Sequence, residues 1–259
     1  MYHYRVVRQL IIDNFAQELS KIGVMDHLLV AKFISKIEKN DPGIEEFLKN
    51  CSLTRKDLLS IGITGGAGVG KSTFIDKFTI KALENSKMVA IIAIDPTSKI
   101  THGTFLGDRL CFSSNFPKQG VYIRSVASLD SINGIPQSLE MIIKFLKLVG
   151  FNLILVETIG IGQDNIEIKN YVDKVVTIPS NDSDDWTQQF KLGLNEITDL
   201  YFINKIDKVN VSHVSLSLKD YLSINTNFNG KLPIIVEGSA KQNIGIERAY
   251  YSILENSVK

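Results

Sequence analysis

Gly65-Gly66-Ala67-Gly68-Val69-Gly70-Lys71-Ser72-Thr73 stands between an apolar run, Leu58 to Thr64, and a stretch with the make-up of a helix. Glycine at these spacings lets a loop turn its backbone N–H groups inward around phosphate oxygens, with dihedrals and a closeness of approach that Cβ atoms would obstruct. Lys71 then supplies a point charge for the β- and γ-phosphates, and Ser72 a hydroxyl for Mg²⁺. The helix that begins here adds unpaired N–H groups and the partial positive charge of its N-terminus. Strand, G-x-x-x-x-G-K-[ST] loop and helix in that order predict a nucleotide-binding P-loop rather than an incidental glycine-rich turn.

From that point apolar strand runs alternate with helix-like stretches, at 58 to 64, 88 to 94, 121 to 124, 151 to 156, 173 to 178, 199 to 203 and 233 to 236. Such alternation predicts the α/β class: a P-loop NTPase with right-handed crossovers and a mostly parallel sheet covered by helices on both faces. Upstream, Leu28, Val30, Phe33, Ile34 and Ile37 recur at helical spacing, and Asn40-Asp41-Pro42-Gly43 breaks the pattern. Asp41 can cap a second helix with Pro42 in its first turn and Ile44, Phe47 and Leu48 as its apolar stripe. The reading is a small helical N-terminal lobe, residues 1–56, followed by a P-loop nucleotide-binding domain, residues 57–259. The lobe's stripe serves either core packing, which is favoured, or partner docking.

A P-loop alone does not choose the base. Asp199-Leu200-Tyr201-Phe202-Ile203-Asn204-Lys205-Ile206-Asp207 is an apolar strand ending in Asn-Lys-x-Asp. The Asp207 carboxylate can accept from both the ring N–H and the exocyclic amine of guanine, a donor pair that adenine lacks. A site left with an unpaired carboxylate loses affinity steeply for the wrong base. Asn204 is expected to buttress neighbouring loops, and the Lys205 stem to lie along the base plane. On its own the tetrapeptide fits a strand-ending polar turn as well; in register behind a P-loop it points to guanine. Ser239-Ala240, after the strand-like Pro233 to Val236, fits a small loop meeting the guanine O6 through backbone N–H.

Between these sites, Phe151 to Val156 is a buried-strand pattern that ends in Glu157, with Gly160 three residues on. Glu157 is expected to hold Mg²⁺ through a water and the Gly160 N–H to meet the γ-phosphate; the bland alternative is an acid that caps the next turn. Asp95, closing another buried strand, points at the crevice where parallel sheets bind ligands and is a metal-shell candidate. Asp108, in the polar Leu106-Gly107-Asp108-Arg109, either orients the attacking water, joins the metal shell, or is an exposed loop acid. Arg109 and Arg124 are the arginines considered for neutralising charge on the transferring phosphoryl group.

Taken together, Gly62 through Thr73, Ala93-Ile94-Asp95-Pro96-Thr97-Ser98, Gly103-Thr104-Phe105-Leu106-Gly107-Asp108-Arg109 and Leu155 through Gln163 resemble the MeaB/ArgK-type GTPases, chaperones of cobalamin-dependent acyl-CoA mutases, over residues 25 to 250. The resemblance implies a guanine-nucleotide hydrolase acting on GTP, with GDP as product and a Mg²⁺ shell of Ser72, Asp95, Asp108 and Glu157. It also implies a mutase of the methylmalonyl-CoA type as partner. Asp185, Gln188, Lys191, Gly193 and Glu196 fall on positions similar to the family's extra switch segment. Departures are Gly66 and Ala67 in place of a proline-containing loop, His102 for a glycine, and Ser180-Asn181-Asp182-Ser183-Asp184 where the family has a glycine-rich turn. The family's helical C-terminal dimer arm is expected to be missing, so a homodimer of the family's kind is left open.

Composition bounds the rest. In 259 residues, 29 Lys and Arg against 28 Asp and Glu give a net charge of +1, scattered along the chain, and this argues against nucleic acid as a partner. No apolar run approaches the ~20 residues needed to cross a bilayer, and the first residues lack a leader pattern, so the expected location is cytoplasmic, with no membrane. Cys51 and Cys111 are isolated, and His3, His27, His102 and His213 are dispersed, which argues against nickel or zinc handling. Two other readings stay beside GTP hydrolysis. One is a nucleotide-gated binding protein with negligible turnover, and the other an ATP-using kinase or transport ATPase on the same fold.

Overall fold

The computed structural model describes residues 23–24, 26–53, 57–95, 120–127, 131–132, 134–159, 164–181, 193–208, 212–224 and 232–255. Two helices open this part of the chain, α1 (His27–Glu38) and α2 (Pro42–Asn50). The sheet strands are β1 (Leu59–Thr64), β2 (Val89–Asp95), β3 (Val121–Ala127), β6 (Leu153–Glu157), β7 (Lys174–Thr177), β8 (Leu200–Ile203) and β9 (Ile234–Glu237). A two-stranded ribbon, β4 (Ser131–Ile132) with β5 (Ile135–Pro136), stands apart. Between strands run α3 (Lys71–Glu84), α4 (Leu139–Val149), α5 (Asp164–Glu167), α6 (Leu194–Ile197) and α7 (Ser212–Ile224), and α8 (Ile246–Glu255) comes last.

The seven strands lie in the order β3-β2-β6-β1-β7-β8-β9, and every pairing between them is parallel. Each of the seven apolar runs therefore became a strand, with ends shifted by one or a few residues. The longest shift is at β3, which reaches Ala127 because it pairs with β2 along its whole length, Val89 with Val121 through Asp95 with Ala127.

Strand alternation divides the interior. Ile154 and Val156 face α1, α2 and α4, whereas Leu153 and Leu155 face α3 and α8. Tyr201 and Ile203 pack against Val214, Leu218 and Leu222 of α7. Both faces of the sheet are thus covered, and so the strands read as continuous apolar runs.

The N-terminal helices join this core. Asp26 caps α1 by accepting from the Leu29 N–H at 3.1 Å, and Asp41 caps α2 by accepting from Gly43 and Ile44 at 3.0 and 3.3 Å. A cap of this kind is worth about 1 kcal/mol. The Phe33 ring stacks on Phe145 of α4 with centroids 5.2 Å apart, so the stripe serves packing. Leu28 departs from the expected stripe, at 67% exposed. It precedes Val30 by two residues, which puts it roughly 200° around the helix from the buried face.

Candidate functional site

β1 sits at the centre of the sheet with β6 on one side and β7 on the other. The chain leaves β1 toward β2 and later returns to fill both places beside it. This reversal of strand order leaves a crevice at the carboxyl ends, where open parallel sheets take their ligands. The glycine loop, Asp95, Glu157 and Asn204 all stand at that edge, each just at or after a strand end.

The loop's backbone explains its glycines. Gly65 has φ +143°, and a Cβ there would lie 2.2 Å from the Ile178 carbonyl oxygen. Gly70 has φ +102°, and its Cβ would lie 2.4 Å from Asn204 Nδ2. The first glycine lets the loop pass the end of β7; the second lets it pass the Asn-Lys-x-Asp segment. Lys71 is 8% exposed and its Nζ donates to the Gly65 and Gly66 carbonyls, both at 3.0 Å. Ala67 and Gly68 form the exposed tip of the loop, Val69 is buried behind it, and Thr73 lies exposed in the first turn of α3.

Ser72 Oγ donates to Glu157 Oε1 at 2.8 Å, bringing together the two metal-ligand candidates proposed from the P-loop and from β6. Register carries Asp95 next to them: Ala93 pairs with Glu157, so β2 runs two residues further toward the same edge, where Asp95 is 1% exposed. A hydroxyl and two carboxylates on three adjacent elements are the hard oxygen donors that Mg²⁺ takes, and the cradle above is shaped for phosphate. The residues present fit both groups.

The Asn-Lys-x-Asp segment is tied to the loop. Asn204 Nδ2 donates to the Val69 carbonyl at 2.9 Å, and its Oδ1 accepts from the Ala240 N–H at 2.9 Å. Lys205, in a left-handed backbone conformation at φ +67°, reaches the Gly68 carbonyl with Nζ at 2.6 Å. The Ser239 hydroxyl hydrogen-bonds Asp207, and this bond, foremost, holds the exposed carboxyl below the usual carboxylate value. Ser239 and Ala240 donate their own N–H groups inside the protein, to Ile244 O at 3.0 Å and to Asn204 Oδ1. In this structure they brace Asn204 and Asp207 rather than presenting free N–H groups.

Asp108 and Gly160 lie outside the described residues, as do Arg109, His102, Asp185, Gln188 and Lys191. Gly193 and Glu196 are described: Gly193 takes φ +79° at the start of α6, and its carbonyl accepts from the Glu196 N–H at 3.0 Å. Arg124, one of the two arginines considered for the transferring charge, is engaged elsewhere. It lies mid-strand in β3, in register with Ile92, and its guanidinium is ion-paired with Glu38 and bonded to Ser35 of α1 at 3.0 Å. It braces α1 and is not placed at the phosphate edge. Thr158, whose Oγ1 donates to Thr64 Oγ1 at 3.3 Å, and Asn181, whose Nδ2 donates to the Asn204 carbonyl at 3.0 Å, brace the strand ends without a sequence signal, because short polar residues after a strand carry no spacing pattern of their own.

A seven-stranded parallel sheet with this glycine loop after its central strand defines a P-loop nucleoside triphosphatase. A crystal structure of a LAO/AO transport system kinase superposes with a TM-score of 0.70 at 23% identity, covering 94% of this chain and 75% of that one. A hydrogenase maturation factor HypB from Archaeoglobus fulgidus does so at 0.55 and 19%, covering 88% and 99%, and at these identities both speak for the fold alone. The family model described as methylmalonyl Co-A mutase-associated GTPase MeaB matches residues 30–257, and the chain belongs to that family of GTPases. The GTPase ArgK of Escherichia coli is 30% identical over 254 residues, covering 93% of this chain and 76% of its own. A Caenorhabditis elegans protein named as a mitochondrial methylmalonic aciduria type A homolog is 31% identical over 169 residues, 64% of this chain and 42% of that one.

Proposed function

We propose that this chain hydrolyses GTP with Mg²⁺ and that its nucleotide state acts on a cobalamin-dependent acyl-CoA mutase as a chaperone or switch. The observation that supports the nucleotide part is the direct bonding of the Asn204-Lys205 segment to the Val69 and Gly68 carbonyls, as expected if an Asn-Lys-x-Asp base reader works beside a phosphate loop. Family membership and the name of the nematode relative support the mutase part.

In this reading Asp207 accepts from the guanine ring N–H and amine, and Lys205 lies along the base. The glycine-loop N–H groups and Lys71 Nζ, released from the Gly65 and Gly66 carbonyls, take the β- and γ-phosphate oxygens. Ser72, with Glu157 and Asp95, would hold Mg²⁺, which when bound would supply charge neutralisation for the phosphate groups. Water attacks the γ-phosphorus in line, the bond to the bridging oxygen breaks, that oxygen leaves with the electron pair on GDP, and the water's surplus proton ends on the released phosphate. Asp108 orients the water and the Gly160 N–H senses the γ-phosphate; both roles rest on sequence.

One observation favours slow intrinsic turnover: Arg124, a candidate for stabilising the transferring charge, is engaged by Glu38 and Ser35. A binding protein in which hydrolysis only resets the state is therefore the second reading. Phosphate release from GTP against ATP, with and without Mg²⁺, tests the first part; equal use of ATP would overturn it. Affinity capture with a non-hydrolysable GTP analogue against GDP tests the second. Recovery of an acyl-CoA mutase in one state only is the expected result, and recovery in neither would remove the partner. Single-turnover rates with and without that mutase separate catalyst from scaffold.

A further inference from the structure

The base-reading loop is gripped from a third side. After β7 the chain runs past the glycine loop to Asn181, whose Nδ2 donates to the main-chain carbonyl of Asn204 at 3.0 Å. Only the nitrogen end of a carboxamide can face a carbonyl oxygen, which fixes the orientation of the amide. Its Oδ1 is buried with no hydrogen-bond partner among the described residues. Burying an acceptor that way opposes stability, so the side chain is held in place by the bond its other end makes.

The carbonyl that Asn181 holds belongs to the peptide joining Asn204 to Lys205. Lys205 sits at φ +67°, a conformation that a side-chain-bearing residue adopts at a cost and keeps only when its surroundings impose it. Asn204 bonds Val69 and Ala240 through its side chain, and Lys205 bonds Gly68 through its own. These side-chain bonds leave the 204–205 peptide itself untouched; the Asn181 amide bonds its carbonyl directly, beside the flanking backbone bonds from Ile206 N–H to Gly238 O at 3.3 Å and from Lys208 N–H to Lys205 O at 2.9 Å.

We propose that Asn181 is a positioning residue for guanine recognition: it pins the Asn204 carbonyl, and through it sets the direction in which Lys205 and Asp207 present themselves to the base. This rests on the proposed reading of Asp207 as the guanine acceptor. Asn181 touches neither phosphate nor base in this account and acts only through the loop.

The test compares the parent, Asn181→Ala, Asn181→Ser and Asp207→Asn in GTP and ITP turnover, with Tm recorded for each. ITP lacks the 2-amino group, so the ratio of KM values reports how well the carboxylate is aimed. Losing one buried hydrogen bond in the loop should raise KM for GTP on the order of fivefold in Asn181→Ala and narrow the GTP-over-ITP preference, while kcat moves less. Asn181→Ser, which keeps a donor on a shorter arm, should recover part of the change. If Asp207→Asn alters base preference and both Asn181 variants keep the parent's KM ratio, the inference is overturned and the guanine reading stands. If Asp207→Asn also leaves base preference untouched, the guanine reading falls and this inference with it. A fall in kcat at unchanged KM would likewise overturn it. Should Asn181→Ala lose its fold, the serine variant and its KM ratio decide.

Discussion

The Ser72 hydroxyl donates to Glu157 Oε1 at 2.8 Å, joining the first turn of α3 to the last residue of β6 across 85 positions of sequence. Both groups are hard oxygen donors, and each holds the other in reach of a shared Mg²⁺ that they would hold together. Ser72→Ala and Glu157→Gln should each lower GTP turnover by on the order of 10²-fold. Both should also raise the Mg²⁺ concentration needed for half-maximal rate, read from a Mg²⁺ titration of phosphate release. Parent-like Mg²⁺ dependence in both variants would remove the assignment.

Lys71 curls back onto two loop carbonyls, so the cradle is held closed by the same ammonium that is to meet the nucleotide. Lys71→Ala loses the phosphate charge and should cut phosphate release by on the order of 10²- to 10³-fold. The buried position makes a drop in Tm of the free protein a second expected effect, measured by thermal unfolding without nucleotide.

Asp207 carries a pH dependence whose sign follows from its hydrogen bond with Ser239, which lowers its carboxyl below the ordinary value. The charged form, the one that would accept from guanine, therefore persists as pH falls to the ordinary carboxylate value. Affinity for GDP should hold as pH falls to the ordinary carboxylate value and decline only below it. Ser239→Ala removes the bond, and the decline should move to higher pH. Asp207→Asn should shift preference from guanine toward xanthine nucleotides; equilibrium binding across pH and base checks both.

At the opposite end of the sheet Asp173 makes a stability prediction. Burial alone would push its carboxyl up, but bonds from Lys147 Nζ at 2.8 Å, Ser60 Oγ at 2.6 Å and the Ser60 N–H at 2.8 Å together bring it below the usual value. A carboxyl lowered on folding stabilises the protein above its unfolded pKa, and that contribution is lost as pH falls through the folded value. Asp173→Asn should lower the urea midpoint at pH 7 and narrow the gap to the parent at pH 3.

Phe74 of α3 is 1% exposed and its ring lies 4.7 Å from that of Phe202 in β8, between the helix that follows the glycine loop and the strand that leads into Asn-Lys-x-Asp. Phe74→Ala should cost about 3–5 kcal/mol of stability by denaturant unfolding. It should also weaken GTP binding, since helix and strand present the two halves of the site.

What could be read from residues alone was whatever neighbours in the chain decide. The seven strands follow from runs of apolar residues, the cap of α2 from Asp41 followed by Pro42, and the phosphate loop from glycine spacing beside Lys71. Each needs only backbone preference and periodicity over a few residues, which is why the family could be recognised from short blocks. Tertiary structure decided the pairings between distant groups: Ser72 with Glu157, Asn204 with Val69 across 135 positions, Asn181 with the Asn204 carbonyl. Arg124 shows the reason. A lone arginine in a strand is equally available to a phosphate or to a carboxylate, and only strand register and the docking of α1 brought Glu38 within reach.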